Sequence, residues 1–312
     1  MSTKVILVNS TIMDKIKAQY KGYLLEKIPP GGLYTAKLPN CVVTAYKSGK
    51  VMFQGAGANL EAARWESVST ESVSKQASSP KVRNDRYAVP ENIKDMAIIG
   101  SDEVGTGDYF GPITVVAAFV EPSKMELLKE LGVKDSKNLH DSQIVKIAKD
   151  IIKVVPYSLL VLQNEKYNEL QKKGMTQGKM KALLHNKAIS NVLNKLAPKK
   201  PDGILIDQFA EPDVYFRHIK NEKHMIKDHV YFSTKAEGVH LSVAAASIIA
   251  RYSFVKEFDK LSVLTGVELQ KGAGPGVDRI AARIMSEQGE EIFNSIAKLH
   301  FANTEKARKL IR

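Results

Sequence analysis

The stretch that most constrains this chain is Ala97-Ile98-Ile99-Gly100-Ser101-Asp102-Glu103-Val104-Gly105-Thr106-Gly107-Asp108-Tyr109-Phe110-Gly111-Pro112. It reads as an apolar, buried strand that ends in two adjacent carboxylates and passes into a glycine-rich turn. A second apolar run, Ile113 to Val120, follows at once and predicts a neighbouring strand. Carboxylates at the mouth of an apolar sheet are costly to desolvate unless positive charge meets them. A divalent cation is a natural partner for oxygen ligands of this kind. Successive side chains of a regular strand face opposite ways, so Asp102 and Glu103 are expected to converge only where the strand ends and twists.

The theme recurs. Asp207 closes the apolar run Ile204-Leu205-Ile206, and Glu237 follows a short strand at Val230 to Ser233. One reading is solvated acids at separate strand ends. The other is a single cluster, in which carboxylates repel and raise one another's pKa unless cations neutralise them. Two hard cations held by such a cluster and by substrate phosphate oxygens make a phosphodiesterase site, so the expectation is magnesium acting on a nucleic-acid backbone. A dinucleotide fingerprint does not fit, because the third glycine, Gly111, comes one residue late and two acids precede the turn. No G-x-x-x-x-G-K-[ST] occurs either. The glycines are expected to let the backbone approach a sugar-phosphate chain.

Charge supports a polyanionic partner: the net formal charge is +12 and the pI about 9.4 over 312 residues, a length that suits two domains. No apolar run approaches the ~18 residues of a membrane span, which places lipid well behind nucleic acid. Val5 to Val8 is too short for a signal-peptide core. The single cysteine, Cys41, excludes internal disulfides and a thiolate zinc cluster, and a cytoplasmic protein is expected. The histidines show no H-E-x-x-H spacing, leaving at most a supporting role for His140 or His185.

Residues 1–65 form a basic α+β unit, with nine Lys and Arg against three Asp and Glu. A helix is predicted over Asp14 to Tyr20. Strands are predicted over Leu33 to Leu38, Cys41 to Tyr46 and Val51 to Gln54, with a hairpin turn at Ser48-Gly49 and a helix capped by Asn59. Tyr46, Lys47, Lys50 and Phe53 would offer phosphate contacts with stacking; equally, the lysines would protect a sheet edge. Residues 66–92 open on a run of serines and read as a flexible linker.

From residue 93 to 312, strands alternate with helices, the pattern of an α/β domain. Helices are predicted over Lys124 to Leu131, from Asp141, over Lys179 to Leu196, over Leu241 to Leu261, and largely over Arg279 to His300. A strand is predicted over Val154 to Leu162, with Pro156 arguing for an edge. The start of the Leu241 helix is small and apolar all round, so it is expected to lie buried against a sheet. Lys134, Lys137, Lys179, Lys181 and Lys187 are either solvated or the walls of a groove for the backbone.

At these residues the chain resembles a known family. Gly100 to Pro112 is similar to the signature of bacterial ribonuclease HIII, one of the type 2 ribonucleases H, whose matching segment is usually D-E-[VA]-G-R-G. Also similar are Asp135-Ser136-Lys137, Lys181-Ala182-Leu183-Leu184-His185-Asn186, Ile206-Asp207-Gln208-Phe209, Lys235-Ala236-Glu237 and Ser242 to Arg251. Tyr46 to Gly55 resembles the TATA-binding-protein-like domain that precedes the nuclease in this subfamily. The resemblance implies a ribonuclease H-like fold with a five-stranded mixed sheet and C-terminal helices, behind that small N-terminal domain. It implies endonucleolytic cleavage of the RNA strand of RNA–DNA hybrids, leaving 3′-hydroxyl and 5′-phosphate ends.

The catalytic and metal-holding acids carry over to Asp102, Glu103, Asp207 and Glu237, with Mg2+ as cofactor and Mn2+ as a substitute. Substrate contacts are expected from Gly105, Thr106, Gly107, Ser136, Lys137, Lys181, Tyr46, Lys47 and Lys50, the first three set against ribose 2′-hydroxyls. Thr106 replaces the arginine of the usual segment, so several consecutive ribonucleotides are expected to be needed. A monomer is the default expectation. The readings that compete are a non-catalytic nucleic-acid binder and a hydrolase of small phosphorylated molecules.

Overall fold

The computed structural model of the chain describes residues 3–29, 31–46, 48–65, 85–133 and 139–311. Lys47, Ser136 and Lys137 lie outside the described residues, as do Lys134 and most of the serine-rich segment. The chain divides into units of residues 1–84 and 85–312.

In the first unit, β1 (Thr3–Leu7), β2 (Gly32–Lys37), β3 (Val42–Tyr46) and β4 (Lys50–Gln54) form an antiparallel sheet ordered β1-β4-β3-β2. Alternation sends Ile6, Val43, Ala45, Val51 and Phe53 into a core shared with α1 (Ser10–Gln19) and α2 (residues 58–65). Helix α1 begins at Ser10 rather than at Asp14, because Asn9 Oδ1 accepts the Ile12 amide at 2.9 Å. Helix α2 begins at 58, so Asn59 does not cap it; the turn at Gly55 (φ +128°) comes first, and the Gly57 carbonyl accepts the Glu61 amide.

The second unit is built on β5 (Ile98–Val104), β6 (Ile113–Val120), β7 (Tyr157–Leu162), β8 (Gly203–Asp207) and β9 (Val230–Ser233), ordered β7-β6-β5-β8-β9. β5 runs antiparallel to β6 and parallel to β8, which is parallel to β9, so the sheet is mixed, as expected. β7 is an edge strand starting after Pro156; α4 (Asp141–Val154) occupies the residues just before it. The remaining helices are α3 (Pro122–Glu130), α5 (Asn164–Lys172), α6 (Gln177–Leu196), α7 (Pro212–Ile219), α8 (Leu241–Thr265), α9 (Pro275–Gln288), α10 (Phe293–Ile296) and α11 (Ala302–Ile311). The predicted helix over Arg279 to His300 is thus broken, at Gly289 (φ +82°). Residues at the end of the expected linker are packed: Tyr87 stacks on Phe216 at 5.0 Å and meets Phe232 edge-on at 6.0 Å.

Helices cover the central strands on both faces. On one face α6 and α7 close over Ile99, Ala117, Phe119 and Ile206. On the other, α8 lies against β5 and β6 with its first three turns almost wholly buried. Gly100 explains how closely α8 approaches: a Cβ there would stand 2.3 Å from the Ser242 carbonyl carbon and the Val243 nitrogen. No helix among the described residues is long and apolar enough to cross a membrane.

Candidate active site

Asp102 and Glu103 lie inside β5, paired with Val116 and Val115 of β6, and the strand continues through Val104. The expected convergence at a frayed strand end therefore does not occur. Regular alternation sends the two side chains to opposite faces of the sheet. Asp102 goes to the α8 face, where Ser247 hydrogen-bonds it, and its Oδ1 also accepts the Glu103 amide at 2.7 Å. Glu103 goes to the α6 face. Its carboxylate accepts Lys181 Nζ at 2.8 Å and His185 Nε2 at 2.9 Å.

The Glu103 contacts continue inward. His185 is wholly buried, its Nδ1 lies 2.6 Å from Ser101 Oγ, and Ser101 donates to the Val116 carbonyl at 2.9 Å. Phe209 stacks on the His185 ring at 5.0 Å and carries the Lys181 ammonium 4.2 Å over its own. Lys181, expected at a substrate groove, is instead 9% exposed and committed to Glu103. Sequence reasoning missed this because a lysine on a helix reads as solvated until the facing strand is known.

Asp207 ends β8, one residue beyond the Ser101↔Ile206 pair, and so comes level with Asp102 on the adjacent parallel strand. Its Oδ1 accepts the Ala236 amide at 2.8 Å. That bond holds the single turn Ala236–Gly238, and with it the buried Glu237, to the end of β8; the turn is entered through Lys235 in a left-handed conformation (φ 57°). All four predicted acids thus belong to one end of the sheet. Among the described residues no three His, Cys, Asp or Glu side chains already form a metal-holding group, so the acids are neighbours rather than a finished cage.

Electrostatics separate the two adjacent acids. Burial, then repulsion from Glu103 and Asp207, drives the Asp102 carboxyl up to about 8 against an ordinary 3.8. Burial also acts to raise Glu103, but His185 and then Lys181 outweigh it and hold that carboxyl below its usual range. One acid is compensated within the protein and the other is not.

The turn after β5 is fixed at both ends. Gly105 (φ +97°) has no room for a side chain, since a Cβ would stand 2.2 Å from the Pro112 carbonyl oxygen and against Phe254. Gly105 is therefore glycine for packing. Gly107 is open, with nothing within 4 Å of a Cβ built there, so packing does not require glycine at this position. Between them, the Thr106 carbonyl accepts Gln177 Nε2 at 3.1 Å.

In the first unit, Lys50 and Tyr46 share the sheet face away from the helices with Lys37, Met52 and Gln54, whereas Phe53 is fully buried on the helix face. A stacking role for Phe53 is thereby excluded by the register of β4.

A five-stranded mixed sheet with acids on its adjacent parallel strands, and helices over both faces, defines the ribonuclease H-like class of α/β folds. A family model described as Ribonuclease HII matches residues 99–304, and one described as a domain of unknown function (DUF3378) matches residues 3–78. The Ribonuclease HIII of Bacillus cereus is 58% identical over 308 residues, 99% of this chain and 98% of that one. The crystal structure of Bst-RNase HIII in complex with Mn2+ matches with a TM-score of 0.69 at 45% identity, covering 100% of this chain and 99% of that one. Ribonuclease H2 from Pyrococcus horikoshii OT3 shares the fold with a TM-score of 0.57 at 24% identity, over 70% of this chain and 99% of its own. The chain belongs to the ribonuclease HII family and, over nearly its whole length, to the ribonuclease HIII branch within it.

Proposed function

We propose that this protein is an endonuclease that hydrolyses the RNA strand of RNA–DNA hybrids, leaving 3′-hydroxyl and 5′-phosphate ends. The observation that carries the reading is the geometry of the acids: Asp102 and Asp207 come level on adjacent parallel strands, with Glu103 next to the first and the Glu237 turn tied to the second, and burial and repulsion raise the Asp102 carboxyl. Such a group calls for a cation, and an all-carboxylate donor set suits a hard one. Asp102, Glu103, Asp207 and Glu237 would hold it: Mg2+, with Mn2+ as a substitute, as in the Bst-RNase HIII complex. When bound, divalent cations in such a site activate the attacking water and stabilise the leaving 3′-oxygen.

The chain itself supplies the rest. Lys181 and His185 keep Glu103 ionised and fixed in direction, and Ser247 orients Asp102 from α8. The open turn at Thr106 and Gly107 offers backbone to the ribose 2′-hydroxyls that distinguish RNA. Ser136, Lys137, Lys47 and the sheet face carrying Tyr46 and Lys50 contact the phosphate backbone. The protein works as a monomer in the cytoplasm, the 1–65 unit serving as a substrate-binding domain ahead of a catalytic domain that starts at 85 rather than 93, since Tyr87 packs on Phe216 and Phe232.

The test is cleavage of an end-labelled RNA–DNA hybrid with Mg2+, with chelator, and with Mg2+ on a duplex bearing one ribonucleotide. Cutting of the hybrid that chelator abolishes, with much weaker cutting of the single-ribonucleotide duplex, is expected. A chain that binds the hybrid but leaves it intact in Mg2+ and in Mn2+ is a binder, and the proposal fails.

A further inference from the structure

Lys298 is remote in sequence from every acid above, yet it is completely buried. Its Nζ donates to the Asp108 carbonyl at 2.8 Å and to the Gly111 carbonyl at 2.5 Å, and it lies 6.0 Å over the Tyr167 ring. Burial pushes the ammonium down to about 7. A charged amine is costly to bury unless its donors are used, and here they converge on Asp108 and Gly111, the segment that directly follows the Gly105–Gly107 turn.

The main chain reinforces the grip. The Lys298 amide donates to the Tyr109 carbonyl and the Gly111 amide to the Ile296 carbonyl, both at 2.9 Å, with Phe110 bridged to Ala297. The chain leaving α10 therefore runs antiparallel beside 109–111 through an isolated bridge. Asn168 anchors this bridged segment from behind, donating to the Ala297 carbonyl at 2.9 Å. Asn164 adds a second bond to the Gly111 carbonyl at 3.0 Å. The far side of the turn, at Thr106, is tied to α6 through Gln177. Between these ties, Gly107 is exposed and a Cβ built there meets nothing within 4 Å.

We propose that Lys298 is a positioning residue for substrate: its clasp on Asp108 and Gly111 sets the height of the Gly105–Gly107 turn against the hybrid, making the C-terminal helical region part of the binding site. This rests on the function proposed above. A substrate-positioning clasp and a merely structural lysine differ in what their loss does. Loosening the turn weakens its contacts with bound hybrid, whereas general destabilisation lowers the active fraction and leaves the remainder normal.

Lys298→Met keeps most of the side-chain volume and removes the donors. With the active fraction fixed by titration, KM for the hybrid is expected to rise about tenfold while kcat stays within about twofold. An unchanged KM, whatever happens to kcat, overturns the inference. If Lys298→Met does not fold, hydrogen exchange on the wild-type chain decides, comparing it free and bound to hybrid in chelator. The Gly111 and Lys298 amides are expected to slow together on binding; slowing of one alone, or of neither, overturns the inference. A wild-type chain that fails to cut hybrid at all would instead defeat the underlying function.

Discussion

At Asp102, burial and two neighbouring acids act in the same direction, and the consequence is a stability that depends on pH. With divalent ions chelated, the folded pKa of about 8 exceeds the ordinary 3.8, so the folded state holds a proton between these values that the unfolded state has released. This contribution to stability is full below about 4 and is lost as pH rises through about 8. Asp102→Asn cannot ionise, so in chelator it is expected to be as stable as wild type near pH 4 and more stable at pH 9, while losing hybrid cleavage. Urea denaturation at the two pH values checks this, and equal stabilities at pH 9 would contradict it. Glu103 does not carry the same liability, because Lys181 and His185 meet it inside the protein. Removing either partner would leave a buried carboxylate undercompensated, a more damaging change than losing an exposed ion pair.

At the scale of elements, the site depends on how closely α8 lies on β5. The small residues Ser242 and Ala244 to Ser247 and the absence of a side chain at Gly100 allow that approach, which brings Ser247 to Asp102. Gly100→Ala would place a methyl 2.3 Å from helix backbone, which cannot give way as a flexible side chain does. Overpacking of this kind is expected to cost about 3 kcal/mol, read as a shift in the urea midpoint, with loss of cleavage as Ser247 is displaced. Gly107→Ala is the contrast. Its methyl meets nothing, so stability should change by less than about 0.5 kcal/mol while KM for hybrid rises. If both substitutions destabilise alike, the distinction between a packing glycine and a ligand-facing one is wrong.

For the whole molecule, the charge of +12 is unevenly placed, with half of it in residues 1–65. There Lys37 and Lys50 stand exposed on the sheet face opposite the helices. If that face meets the phosphate backbone, Lys37→Glu with Lys50→Glu should weaken hybrid binding most at low salt. It should also flatten the slope of log affinity against log salt by about 2, since each phosphate contact contributes about 0.9. Cleavage at saturating hybrid should persist. An unchanged slope would assign the excess charge in the first unit to something other than hybrid.

Much of this was legible in the amino-acid order because it depends on local periodicity and on residue type. The apolar runs around Asp102 and before Asp207, and the short run ahead of Glu237, announce strands with acids on or just after them, and Leu241 to Ala250 announces a buried helix, whatever they pack against. Tertiary structure decided the rest, through partners far away along the chain. The register of β5 against β6 separated Asp102 from Glu103 onto two faces. Packing of α6 on that sheet turned Lys181 from a presumed surface cation into the counter-ion of Glu103. The register of β4 sent Phe53 into the core, and the return of residues 296–298 past Phe110 made Lys298 a clasp. Sequence specifies which groups are available; burial and register decide which of them face each other, because both are properties of surfaces that exist only after the chain has folded.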